Sequence, residues 1–381
     1  MKKSLKLFLF TLPLISPIIS ISCQNNNQEI KTLKDIRFAV NDPWFGSRSE
    51  GFFKNITKRF NEKTNSNATY NVNFQQANAD LASNILKGSS DVAVLTSGLY
   101  NASNNASELI PIVQTMTRAL SFDLDSSKRY SDGSDNDELV KIAKKAEALF
   151  LEKPYSEWND EEYKWNGSLY QKFYAPADTS VDFYRGLVMI QGTNEELTKI
   201  KEAWKNKDWN TFRNFGIVLG DKDSSSKYIL PQALFKKHFN KKGNEFSGFE
   251  VDKIEHSNKY NTGNIKDIGK GSLADFHIVF DDLGSFGYTH NIKGNEKLNY
   301  YKPDNSNAKI EFLTVTDPLK YNVFVTSKRM SKDLRDALAN SIIETWKANE
   351  DDYGFKVGFN GYKIINDYQT EVIKFYKDST Q

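Results

Sequence analysis

Three consecutive hydroxyls, Ser224–Ser226, stand in "GIVLGDKDSSSKYILPQALFKKH" (Gly216–His238), where a short apolar run hands over to a helical pattern. A helix N-terminus presents unpaired N–H groups and a partial positive charge, and hydroxyls add donors there without bulk. Such a run can hold a phosphate or another anion. Plain N-capping needs only one of the three, and the sequence leaves both readings open. Pro231 fits the first helical turn. Asp281 and Asp282 follow a strand in "IVFDDLGS" and suit a cationic or amine-bearing ligand; a solvated turn is the alternative. Trp44 and Phe45 follow a first strand, Tyr184 opens a strong one, and Tyr288 follows "DDLGSFG". Rings at strand ends either pack in a core or stack on a flat ligand, and the faces of Trp and Tyr attract cations. A flat cationic ring joined to a phosphate tail would use hydroxyls, carboxylates and aromatics together.

Patterns for covalent chemistry are missing. The histidines, His238, His256, His277 and His290, are scattered, and the sequence has no H-E-x-x-H, G-x-S-x-G, Walker loop or C-x-x-C. "DGSDNDE" (Asp132–Glu138) misses the EF-hand spacing and reads as an acid-rich helix N-terminus; "NDEE" (Asn159–Glu162) reads as a cap. The expectation is a binding protein, not an enzyme, with no resident cofactor and no metal.

The elements that must position these residues form two α/β alternations. "DIRFAV" (Asp35–Val40), "YNVNF" (Tyr70–Phe74) and "DVAVL" (Asp91–Leu95) read as strands. Helical spacing separates them: Phe52, Phe53, Ile56 and Phe60 within Gly51–Asn61, then Leu81–Leu86. That order predicts a parallel layer. The third strand ends in "TSG", which makes Ser97 a ligand-binding candidate. Pro111–Phe122 reads as extended, and Asp123–Ser180 is polar, acidic and rich in Trp and Tyr, with a helix around Glu138–Leu151. Strands at Val181–Ile190, "NFGIVL" and "SLADFHIVF" alternate with helices at Asn194–Asn206 and after the serines. Ala308–Val325 returns as strands, and Lys332–Asn349 is an amphipathic helix. The expected division is a first lobe over 34–183 with an insertion at about 124–180, a second lobe over 184–308, and a return to the first over 309–381. Ligands bind at the carboxyl ends of strands in open α/β sheets, so two lobes with polar strand ends facing each other make a cleft.

Lys and Arg total 51 against 49 Asp and Glu in 381 residues, a formal net charge of +2 that argues against a nucleic-acid binder. The N-terminus carries Lys2, Lys3 and Lys6 before the apolar run Leu7–Ile21, a signal peptide over 1–22. The single cysteine, Cys23, cannot form an intramolecular disulfide, and it closes "SISC" before a polar tether over 23–33. This junction resembles a bacterial lipobox, with a diacylglycerol on Cys23. The expected location is the extracytoplasmic face of the cell membrane, held by acyl chains and not by a spanning helix.

The strings "DGSDNDELVKIAKKAEALF", "PYSEWNDEEYKWNGSLYQ", "FYRG", "AWKNKDWNTFRNFGI", "LADFHIVFDDLGSFGYTHN" and "GFNGYKII" closely resemble the mycoplasmal high-affinity transport system lipoproteins, also called extracytoplasmic thiamine-binding lipoproteins. The resemblance covers nearly all of the mature chain. More distantly, "SSSKYILP" resembles the S-T-S-G turn, helix and proline of phosphonate-type binding proteins of ABC importers. Lys227 stands where that class has glycine, and either adds charge to a phosphate site or closes off the backbone approach. The resemblance implies a two-lobed type II periplasmic-binding-protein fold, an α/β monomer that closes over thiamine, thiamine phosphate or thiamine pyrophosphate. It also implies permease and ATPase partners. On the implied site, Trp44, Tyr184 and Tyr288 face the rings and Asp281 and Asp282 accept from the aminopyrimidine. Ser224, Ser225, Ser226 and Arg185 of "FYRG" take the pyrophosphate. The alternatives are a phosphonate or phosphate-ester binder on the same fold, or a surface adhesin lipoprotein.

Overall fold

The computed structural model describes residues 28–76, 81–163, 172–291 and 294–381; the signal segment and Cys23 lie outside the described residues. β1 (Asp35–Asn41) is buried through its second half, as its apolar run requires of a strand covered on both faces. α1 (Gly51–Thr64) buries Phe52, Phe53, Ile56 and Phe60 on one side and ends at Asn65 with φ 51, a left-handed position that Asn tolerates. β2 (Thr69–Gln75), α2 (Leu81–Leu86), β3 (Val92–Leu95), α3 (Ser97–Ala102) and β4 (Leu109–Arg118) follow. β1 pairs in parallel with both β2 and β3, as the alternation predicts.

α4 (Glu138–Phe150) is capped by Asp137, whose carboxylate accepts from the N–H groups of Leu139, Ser131, Asp132 and Gly133. The acidic run is thus a helix start. The Asn159 side chain accepts from Glu162 N at 2.8 Å, the expected cap. β5 (Ser180–Val181), β6 (Phe183–Tyr184) and β7 (Gly186–Gly192) lead to α5 (Asn194–Lys205), which opens with a Thr193–Glu196 capping box. Then come β8 (Ile217–Leu219), α6 (Leu230–His238), β9 (Tyr260–Thr262), β10 (Ile278–Asp282), β11 (Lys309–Val315), β12 (Leu319–Lys320), β13 (Val323–Ser327), α7 (Lys332–Lys347), β14 (Gly361–Ile364) and α8 (Phe375–Thr380).

The strands form two sheets, the two-lobed type II architecture. The first runs β14-β4-β13-β3-β1-β2, with β5 on β4; the second runs β11-β7-β10-β8-β9; β6 and β12 form a ribbon between them. Two boundaries differ from those expected. β11 pairs with β7, and its Ile310 and Phe312 share a core with Leu187 and Met189. The return to the first lobe therefore starts after residue 315. The insertion also belongs to the second lobe by packing, because Leu139, Ile142, Ala146 and Phe150 of α4 join that same core. An amphipathic helix goes where apolar surface is left uncovered, and here that surface is β11.

Candidate ligand-binding site

A cavity of about 570 Å³ lies between the two sheets, lined by strand ends and loops of both lobes and by the segments joining them. That volume suits a ligand of cofactor size. Ser224, Ser225 and Ser226 all line it. Ser224 is the cap: its Oγ accepts from Lys227 N at 3.4 Å, and its carbonyl accepts from both Tyr228 N and Ile229 N at 3.1 Å. The turn Ser225–Ile229 is a single wide π-turn leading into α6, with Pro231 in the first turn of that helix. Such turns recur at functional sites. Ser224 thus meets the capping reading, and all three serines stand on the cavity wall. The Ser225 hydroxyl faces the Tyr184 phenol and opposes the rise in its pKa that burial causes.

The Lys227 side chain reaches into the cavity, where its Nζ lies 3.5 Å from Asp281 Oδ2. It therefore adds charge. Asp281 is 7% exposed, and its Oδ1 accepts from Asp282 N at 2.8 Å. Burial, then the neighbouring Asp282 charge, raises its pKa to about 7, against the opposing pull of Lys227. Asp282 Oδ2 accepts from the Tyr288 hydroxyl at 2.9 Å. Burial and the Asp282 charge push both Tyr184 and Tyr288 above the ordinary phenol range. Tyr184 packs on Tyr321 with ring centroids 5.1 Å apart. Trp44, 56% exposed, lines the cavity from the end of β1.

Two expected residues stand elsewhere. The Arg185 side chain is fully buried and paired with Asp123, with its remaining bonds to main-chain carbonyls. It follows β6 and, one residue beyond Tyr184, faces the opposite way. Ser97 is also buried and spends its hydroxyl on the Lys320 carbonyl; its neighbour Thr96 lines the cavity instead. Residues that sequence reasoning missed include Arg118, Tyr174, Asn264, Tyr321 and Asn322. Arg118 ends β4, so the strand-end rule would have found it had the end of that extended run been read. Tyr321 and Asn322 sit in a short link that carries no such signal.

The two lobes meet at Gly98 and Ser225. A Cβ on Gly98 would overlap Ser225 Oγ, so glycine is what lets α3 of the first lobe approach the serine turn of the second.

A family model described as CypI, extracytoplasmic thiamine-binding lipoprotein, matches residues 47–380. The chain belongs to this family. It is 36% identical over 413 residues to the high affinity transport system protein p37 of Mesomycoplasma hyorhinis, covering 99% of both chains. It is 33% identical over 385 residues to the p37 protein of Mycoplasma pneumoniae, covering 98% of this chain and 97% of that one. A solved structure of M. hyorhinis Mh-p37, described as a candidate thiamine pyrophosphate transporter, superposes with a TM-score of 0.82 at 35% identity. It covers 93% of this chain and all of Mh-p37. As in any extracytoplasmic thiamine-binding lipoprotein, the work of this chain is recognition, and its cavity holds both signs of charge: Lys227 and Arg118 against Asp281 and Asp282.

Proposed function

We propose that this protein is the lipid-anchored solute receptor of an ABC importer and that it binds thiamine or a thiamine phosphate by lobe closure. The observation that carries this reading is the make-up of the cavity between the two sheets. Aromatic faces, a carboxylate pair and a hydroxyl–ammonium cluster line the same space. Tyr184, Tyr288 and Trp44 would take the thiazolium and pyrimidine rings, where a cation over an aromatic face gains about 1–2 kcal/mol once desolvated. Asp281 and Asp282 would accept from the exocyclic amine. Ser225, Ser226 and Lys227 would hold a phosphate tail. Ligand bridging the two lobes shifts the open–closed population toward closed, and the permease reads the closed form. No covalent step and no resident cofactor is needed. Diacylglycerol on Cys23 would keep the receptor beside its permease and ATPase partners.

A ligand that binds only the folded state raises its melting midpoint. Thermal melts with thiamine, thiamine monophosphate and thiamine pyrophosphate should show such a rise for at least one. If all three leave the midpoint unmoved at millimolar concentration while methylphosphonate raises it, the ligand is a phosphonate and the aromatic assignment is wrong.

A further inference from the structure

The chain passes between the lobes in three segments, at about 118–123, 179–186 and 315–321. One side chain reaches all three. Arg185, fully buried, donates from Nε to Asp123 Oδ2 at 2.9 Å and from Nη2 to the Asp125 carbonyl at 2.9 Å. Its Nη1 donates to the carbonyls of Lys128 at 3.0 Å and Thr316 at 3.2 Å. Further bonds extend the node into the second lobe: Gly186 N to the Thr316 hydroxyl Oγ1 at 2.8 Å, Thr316 N to Gly186 O at 2.9 Å and Leu283 N to Arg185 O at 2.8 Å. Tyr130 N adds a bond to Asp317 Oδ1 at 2.6 Å.

The other ends of the segments are tied to the first lobe. Thr117 and Arg118 of β4 pair with Val181 and Ser180 of β5. Tyr321 N donates to the Asp182 carbonyl at 3.0 Å, and Lys320 Nζ lies 2.7 Å from the Asp182 carboxylate. Between the two sets of ties remain the residues just after β4 and the ribbon of β6 and β12, two residues on each strand. Tyr184 belongs to that ribbon and lines the cavity.

We propose that Arg185 is the positioning residue of the hinge: it bolts all three crossings to the second lobe and confines lobe rotation to the β6–β12 ribbon and the residues just after β4. This rests on the reading of the protein as a receptor that closes over its ligand. A planar guanidinium with bonds in fixed directions resists rotation of the groups it joins. Opening the node would leave a buried charge unpaired, at a cost that a two-residue ribbon does not approach. Ligand stacked on Tyr184 therefore presses on the moving element itself.

The test needs no ligand. In hydrogen exchange of the wild-type protein, the amides of Tyr130, Gly186 and Thr316 should exchange at least about tenfold more slowly than those of 183–184 and 319–320. Equal rates in the two groups would overturn the proposal. Spin labels at Lys58→Cys and Lys236→Cys, on a chain carrying Cys23→Ser, report the distance between lobes. Arg185→Gln should broaden that distance distribution about twofold, and Arg185→Lys, which keeps the charge on Asp123 but loses the fork, should fall between. A folded Arg185→Gln protein with the wild-type distribution, whatever its melting midpoint, would also overturn it. Where Arg185→Gln does not fold, Asp123→Asn and the exchange experiment decide. If thiamine compounds do not bind, the ligand reading falls and these ligand-free distances still judge the hinge.

Discussion

Asp281→Asn separates what this carboxylate costs from what it does. The group is buried, 3.5 Å from Lys227 Nζ, and its pKa is raised from 3.8 to about 7 by burial and by the charge of Asp282. A carboxyl that holds its proton more tightly in the folded state helps the fold at low pH. That help is complete below about pH 4 and is lost as the pH rises through about 7. A pKa rise of that size sets an upper bound of about 4 kcal/mol on what the charged form costs the fold. Relaxation and water around the charged Asp281–Asp282–Lys227 cluster of the wild type soften this penalty, so Asp281→Asn should be more stable at pH 8 by on the order of 2 kcal/mol. In a chain of this length that is roughly 2–4 °C in Tm. The Asn side chain keeps an oxygen for the Asp282 N–H, so no buried donor is orphaned. Near pH 4 both side chains are neutral, and the two proteins should melt together. Scanning calorimetry of ligand-free wild type and variant from pH 4.5 to 8.5 measures the gap, and titration calorimetry should show thiamine affinity falling about tenfold or more as the charge is lost. A gap that stays constant with pH, or a variant less stable than wild type at pH 8, would refute the reasoning.

Lys227→Met should abolish most of the preference for thiamine pyrophosphate over thiamine, by about tenfold, and titration calorimetry with both ligands reads the ratio. Tyr184→Ala should weaken all thiamine forms alike, by about tenfold, because it removes a ring face and not a charge; a loss confined to phosphorylated forms would place the rings elsewhere. Gly98→Ala puts a methyl against Ser225 Oγ and should weaken ligand about tenfold through incomplete closure. Small-angle scattering of the ligand-bound form would show a wider particle than wild type. His238 stacks on Trp204 with centroids 3.5 Å apart, and burial lowers its pKa to about 4. Its neutral form supports the fold above about pH 6.5, and that support is lost as the pH falls toward 4. His238→Gln should flatten this acid limb in melts run from pH 4 to 7.

The parallel β1–β2–β3 layer was legible because β1 and β3 are apolar runs, β2 alternates apolar and polar residues, and the helices carry a single apolar side. That the serine turn, the Asp281–Asp282 pair, Tyr184 and Tyr288 share one cavity wall was legible because strand ends in α/β sheets converge. Arg185 was misread because one-residue alternation along a strand decides which neighbour faces the cavity, and "FYRG" does not say where the strand begins. Membership of β11 in the second sheet was hidden for a similar reason: Ala308–Val325 holds strands of both sheets, and only the bond partners of each separate them. Arg118 was missed because Pro111–Phe122 reads as extended past Arg118, where β4 ends.

The order of the strands has a consequence for biogenesis. β13 fills the slot between β3 and β4, with Val323 opposite both Leu95 and Gln114. The central sheet of the first lobe therefore cannot close until nearly the whole chain has emerged from the translocation channel. The second lobe, from the insertion to β11, draws on one nearly continuous stretch and can condense earlier. A chain appearing on the far side of the membrane would so present a finished second lobe and an open, edge-exposed first one. The interval between the two is where such a chain is most exposed to proteolysis and mispairing.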